Sequence, residues 1–305
     1  MSGAGAPPAG AASATARWAR VLLFVVPALW STNYVIARLA DGVIGPHALA
    51  LGRWALAAAL MLPFVWRPLV RDRHLWLREW KHLLVLGGLG MYICGAWVYI
   101  AGQTTTSANI ALIYAVTPVT IAALSAWLLH EPMRASQRLG VLMAFAGALY
   151  VITRGDLSML MQMRFAAGDF WVLAAAASWT AYSVLLRKWP SALGPAQRLV
   201  AIIAGGLVFL IPGALVEAAV TVQPAWTWAA TGLVLLAAVV PGVASYGAYS
   251  FLQRELGAAK TALMLYLAPV YGAVLAWLIL GERPGWHHAV GAALILPSIW
   301  LATRR

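Results

Sequence analysis

The chain has 305 residues, of which 63% are hydrophobic and only 10% charged, and its mean hydropathy is +0.81. No soluble protein of this length could cover its surface with that composition, so the chain reads as an all-α polytopic membrane protein with the lipid bilayer around it. The net charge of +12 does not mark a nucleic-acid partner, because the basic residues are scattered between apolar runs, and the single cysteine, Cys94, excludes a disulfide framework and a cysteine-based metal site.

Residues 1–17 are rich in Ala, Gly, Pro and Ser and are expected to form a disordered tail. The apolar stretch that follows is too long for a signal-peptide core and lacks an A-x-A cleavage site, so it is read as the first spanning helix. A span needs roughly 20 mostly apolar residues. Ten segments meet that need: 20–40, 46–66, 82–102, 107–129, 138–154, 169–187, 197–217, 229–252, 259–280 and 287–303. The breaks between them carry turn chemistry, as in Gly45-Pro46, His130-Glu131-Pro132, Gln223-Pro224 and Gly281-Glu282-Arg283-Pro284.

The chain is also duplicated. Residues 107–140 align without a gap on residues 258–291, so that Pro118 meets Pro269, Glu131 meets Glu282 and Gly140 meets Gly291. Earlier in each half, Trp30, Arg38, Pro46 and Pro63 answer to Trp179, Arg187, Pro195 and Pro212. The expected organisation is a first repeat over 18–154, a linker over 155–168 and a second repeat over 169–305, with five spans in each repeat. Duplicated membrane units are the usual plan of secondary transporters, with the substrate path between the halves.

Orientation follows from the basic residues. With the N-terminus in the cytoplasm, sixteen Lys and Arg fall on the inner side and only Arg154, Arg164 and Arg283 in outer loops. Both termini are therefore expected in the cytoplasm of a cell bounded by this plasma or inner membrane. An odd number of spans per repeat inserts the second copy upside down, which gives two inverted-topology five-helix repeats.

These residues resemble a known family, the EamA-type carriers of the drug/metabolite transporter superfamily. The resemblance rests on Trp30-x-x-Asn33, on the runs Ala111–Val119 and Leu265–Val270, and on Glu131 and Gly281-Glu282 at helix ends. It covers about residues 18–303 and implies a ten-helix exporter or exchanger of small metabolites. It does not name the solute.

Polar and aromatic groups at membrane depth are the informative positions, because an unpaired polar group in hydrocarbon is costly. The expected cavity residues are Trp30, Asn33, Tyr99, Tyr114, Trp179, Tyr182, Tyr246 and Tyr266. Helical spacing puts Trp30 with Asn33, Tyr114 with Thr117, Trp179 with Tyr182 and Tyr246 with Tyr249 on common faces. The sequence leaves open whether each lines a cavity or only donates to a neighbouring backbone carbonyl. Lys260 and Arg53 are the candidate partners of a substrate carboxylate, with Arg38 snorkelling to the interface as Lys260 also could. Pro118 and Pro269, each inside an apolar run, are expected kinks or gating points, and Gly90 and Pro241 align in the same way.

All nine acids and all six histidines fall outside the span centres. That favours a facilitator or exchanger over a proton-coupled exporter. A protease or metal enzyme would need Ser-His or His clusters at depth, and none is found, so neither enzyme activity, a cofactor nor a metal is expected. A channel or scaffold is the remaining rival. Oligomeric state is not readable, a monomer being compatible with the sequence.

Overall fold

The structure is a computed structural model in which residues 9–105, 110, 113–131, 133–162, 166–268, 270, 271, 274, 277, 278 and 285–303 are described. Among the described residues, each of the ten apolar segments contains a helix. In chain order these are α1 (Ala9–Leu39), α2 (Pro46–Arg71), α3 (Arg73–Gly102), α4 (Ile113–Leu128), α5 (Ala135–Ile152), α6 (Ala167–Lys188), α7 (Pro195–Val220), α8 (Trp228–Leu256), α9 (Ala258–Leu267) and α10 (Trp286–Thr303). Among the described residues seven are long and apolar enough to cross a bilayer, and α4 and α9 are shorter apolar helices. Helix α1 begins at Ala9, inside the stretch expected from composition to be a tail.

The helix starts explain themselves in matched pairs. Helices α2 and α7 each open on a Gly-Pro step, Gly45-Pro46 and Gly194-Pro195, with the glycine extended and the proline in the first turn, where its missing N–H costs nothing. Between α8 and α9 the chain turns at Gly257, whose φ of +83° and ψ of 167° are open only to glycine.

Prolines and glycines interrupt the matched helices at matched places. In α4 the ladder slips at Val116: Val119 N–H bonds back to the Val116 carbonyl at 3.1 Å, and the helix restarts at Thr117 with Pro118 in its first turn. Pro118 thus begins a helical piece rather than bending a continuous helix. In the second copy α9 tightens to a 3₁₀ turn over Leu263–Leu267; Pro269 itself lies outside the described residues. Helices α3 and α8 instead widen into π turns, at Gly88–Ile93 and Ala238–Ala244. A proline cannot donate and crowds the carbonyl four residues back, and one extra residue in the turn relieves that at Pro241.

The packing maps onto itself when the halves are exchanged. Helix α3 packs on α7 as α8 packs on α2, α3 on α6 as α8 on α1, and α4 on α6 as α9 on α1; α2 with α7, α4 with α9 and α5 with α10 pair across the axis. This is an all-α membrane protein of two inverted repeats, and most of its contacts run between them. The core therefore forms only when both halves are in place.

Two acids of the chain act as helix caps. Glu217 accepts from the His47 and Ala48 N–H groups at 3.1 and 3.2 Å and pairs with His47 Nδ1 at 3.0 Å, placing a carboxylate at the N-terminus of α2. Asp169, fully buried, accepts from the Ala166 N–H at 2.7 Å and from the Thr105 hydroxyl. Glu131 pairs with Arg187 at 3.4 Å, not with neighbouring Arg134. It thereby ties the end of α4 to the end of α6. Glu282 and its neighbour Arg283 are outside the described residues.

Candidate functional site

Helix α2 carries Arg53 seven residues beyond its first residue, roughly 10 Å along the axis. The side chain is only 4% exposed. Its Nη1 donates to Asn33 Oδ1 and to the Tyr99 hydroxyl, both at 3.3 Å, and its Nη2 to the Pro241 carbonyl at 2.8 Å. Tyr99 in turn donates to Asn33 Oδ1 at 2.6 Å. The guanidinium lies 4.6 Å from the Trp54 ring and 5.9 Å from that of Tyr246. Every one of these partners is neutral. Among the described residues no carboxylate bonds to Arg53.

The π turns supply part of this arrangement. A widened turn leaves carbonyls off the i→i−4 ladder, free for side chains. Pro241 gives its carbonyl to Arg53, and Gly90 its carbonyl to the Tyr246 hydroxyl at 3.1 Å. Leu89 accepts from Ser178 at 2.8 Å. Each of these three bonds joins one repeat to the other, so the widened turns hold the halves together midway along α3 and α8.

Beside Arg53 stands a layer of aromatic rings. Trp30 meets Trp179 and Tyr249 at 5.1 Å between centroids and Tyr246 at 5.8 Å; Trp54 meets Tyr246 at 4.8 Å; Trp179 stacks on Tyr182 at 5.2 Å. Tyr182 lies against Gly90, where a Cβ would come within 2.7 Å of its ring. The rings fill the centre in this conformation instead of bordering an opening. Tyr249 donates to Ser183 at 2.7 Å and accepts from Gln253 at 2.8 Å.

Four buried polar atoms around this centre have no partner: Arg53 Nε, Trp54 Nε1, Trp179 Nε1 and the Tyr182 hydroxyl. Each unsatisfied group costs about 1–3 kcal/mol. Three of the four can only donate. Together with an unneutralised guanidinium, they ask for an anionic acceptor.

Six of the residues expected from sequence thus meet: Trp30, Asn33, Tyr99, Trp179, Tyr182 and Tyr246, joined by Arg53. Tyr266 is placed elsewhere, and Tyr114 stands at the edge of the centre. Tyr114 has its hydroxyl 3.8 Å from Cys94 Sγ and packs in a small cluster with Ile113 and Val172, while Tyr266 is buried among Ala144, Ala148 and Ile295 of α5 and α10. Lys260 is half-buried in the first turn of α9. The Arg38 side chain is outside the described residues. Trp54 was missed, although a tryptophan eight residues into an apolar run, beside an arginine, is too deep for the headgroup belt. The widened turns had only Gly90 and Pro241 as their signal.

Two inverted helical repeats that enclose a polar and aromatic centre define a membrane transporter. The chain belongs to the EamA-like transporter family, which it matches over residues 17–153 and again over 166–304, and it is a transporter rather than an enzyme. It is 26% identical to an uncharacterized transporter of Archaeoglobus fulgidus, over 93% of this chain and 97% of that one. It is 25% identical to a probable terminal-alkyne amino-acid exporter of Streptantibioticus cattleyicolor, over 94% of this chain and 93% of that one. A solved crystal structure superposes with a TM-score of 0.73 at 21% identity, over 93% of this chain and 96% of that one, which supports the fold.

Proposed function

We propose that the chain carries carboxylate-bearing small metabolites, amino acids or related amphipathic solutes, by alternating access between its two repeats. The observation that carries this reading is Arg53: a buried guanidinium with neutral partners only, beside orphaned N–H donors. A substrate carboxylate supplies the missing charge and acceptors, and the aromatic layer suits its apolar body. The Arg53 contact to Pro241 spans the repeats, so a carboxylate that replaces that carbonyl loosens one half from the other. Lys260 is a second candidate contact for the carboxylate, and the interruptions at Pro118 and before Pro269 are where α4 and α9 would bend. The amino-acid exporter of Streptantibioticus cattleyicolor supports the solute class. The protein lies in the plasma or inner membrane, with both termini cytoplasmic.

The proposed mode is facilitation or exchange. Asp169 and Glu217, the acids nearest the helix bundle, already serve as caps, accepting from two or more donors each. Counterflow in proteoliposomes preloaded with unlabelled amino acid tests this. Labelled solute is expected to enter by saturable, trans-stimulated exchange, and an uncoupler is expected to leave it unchanged between about pH 6 and 8, where a histidine would titrate. Exchange that an uncoupler abolishes would establish the proton-coupled alternative and direct attention to Asp169 and Glu217. Entry without trans-stimulation would indicate a channel.

A further inference from the structure

At the ends of α6, α7 and α8 on the proposed cytoplasmic side, a pocket of about 140 Å³ is lined by Arg187, Arg198, Arg254, Ser191, Ser250 and Gln253, over an apolar floor that includes Leu199 and Ile202. It is separate from the Arg53 centre but linked to it. Gln253 donates to Tyr249, whose ring lies 5.1 Å from both Trp30 and Trp179. The pocket thus begins where the aromatic layer ends.

Its polar groups are incompletely used. Arg198 gives Nη2 to the Leu186 and Trp189 carbonyls and closes the end of α6, but its Nε is buried without a partner. Gln253 is 2% exposed, and its Oε1 is likewise without a partner. Arg187 is held by Glu131 and by the Arg254 carbonyl, and Glu79 holds Ser191. Three guanidiniums thus stand beside two carboxylates, which leaves one positive charge in excess. With Nε2 donating to Tyr249, the unpaired group of the Gln253 amide is the acceptor Oε1. A ligand that completes the pocket carries one carboxylate and one N–H donor and has an apolar remainder.

We infer that this pocket is a second solute site, on the cytoplasmic side, for an α-amino acid with an apolar side chain. Arg198 and Arg254 face the carboxylate, Gln253 faces the amino group, and the apolar floor takes the side chain. The inference rests on the carrier reading and adds a docking position on the inner side of the aromatic layer, distinct from Arg53. Substrate reaches Gln253 first, and displacement of its bond to Tyr249 is the step that opens the layer.

The test uses the full chain with Ser250→Cys in a Cys94→Ala background, labelled by a sulfonate-bearing methanethiosulfonate. The anionic reagent is expected to react faster than its trimethylammonium counterpart, and Arg254→Gln to erase that preference. L-Leucine is expected to slow labelling, with 4-methylpentanoate and isoamylamine each needing roughly ten-fold higher concentration, the factor one such hydrogen bond contributes. Gln253→Leu is expected to remove the distinction between leucine and 4-methylpentanoate, and Arg53→Leu to leave protection in place. Failure of leucine to protect overturns the second site, as does protection lost in Arg53→Leu but kept in Arg254→Gln and Gln253→Leu. In that last case the Arg53 reading stands, and counterflow reports on it separately.

Discussion

Transport by an Arg53→Leu variant is expected to fall by at least about 30-fold in kcat/KM, while the amount of folded protein stays the same or rises. The two readouts separate because the residue plays two parts. Its hydrogen bonds to a substrate carboxylate are charge-assisted and contribute about 2 kcal/mol or more, which is the 30-fold. In the empty protein the same guanidinium is buried at 4% exposure with neutral partners only, so its removal relieves an uncompensated charge. Arg53→Lys should recover only part of the rate, because one ammonium cannot hold Asn33, Tyr99 and the Pro241 carbonyl in a planar fork. Initial rates in proteoliposomes, set beside size-exclusion profiles, give both numbers. Wild-type transport in a well-folded Arg53→Leu protein would remove the proposed site.

Gly87→Ala is expected to cost most in stability among small changes. A Cβ there would lie 2.2 Å from the Gly206 nitrogen and 2.4 Å from the Ile202 carbonyl oxygen, both backbone atoms that no rotamer change can move. Helices α3 and α7, one from each repeat, would have to part. Overpacking of this kind costs about 1–3 kcal/mol, and the apparent melting temperature should fall by roughly 2–5 °C. Gly232→Ala is the control, since nothing lies within 4 Å of its added carbon and alanine favours helix. Equal melting temperatures for the two variants would mean that α3 does not approach α7 as closely as described.

The duplication and the apolar runs made the architecture legible, because membrane helices must satisfy their own backbone and therefore announce themselves by length. Depth was legible for the same reason. Azimuth was not: Tyr266 lies within an apolar run like the other aromatics, but it rests against α5 and α10. Periodicity places residues on a shared face without saying which neighbour that face meets. The pairing of Trp30 with Trp179 was readable from their matched positions in the repeats; the closing of all these rings into one layer was not. The bond from Arg53 to Pro241 depends on a widened turn, and Pro241 reads in sequence, like Gly90, as a kink or gating point without saying that the turn widens and hands its carbonyl to Arg53.

Five spans in each repeat require the two halves to enter the membrane in opposite senses, and accessibility labelling measures this directly. With Cys94→Ala as background, Glu131→Cys and Glu282→Cys are each tested with an impermeant thiol reagent added to intact cells and to inverted vesicles. The matched positions are expected on opposite sides, Glu131 reached from the cytoplasm and Glu282 from outside. Labelling of both from the same side would contradict the inverted repeats and, with them, the ten-span arrangement in which α1 to α5 answer to α6 to α10.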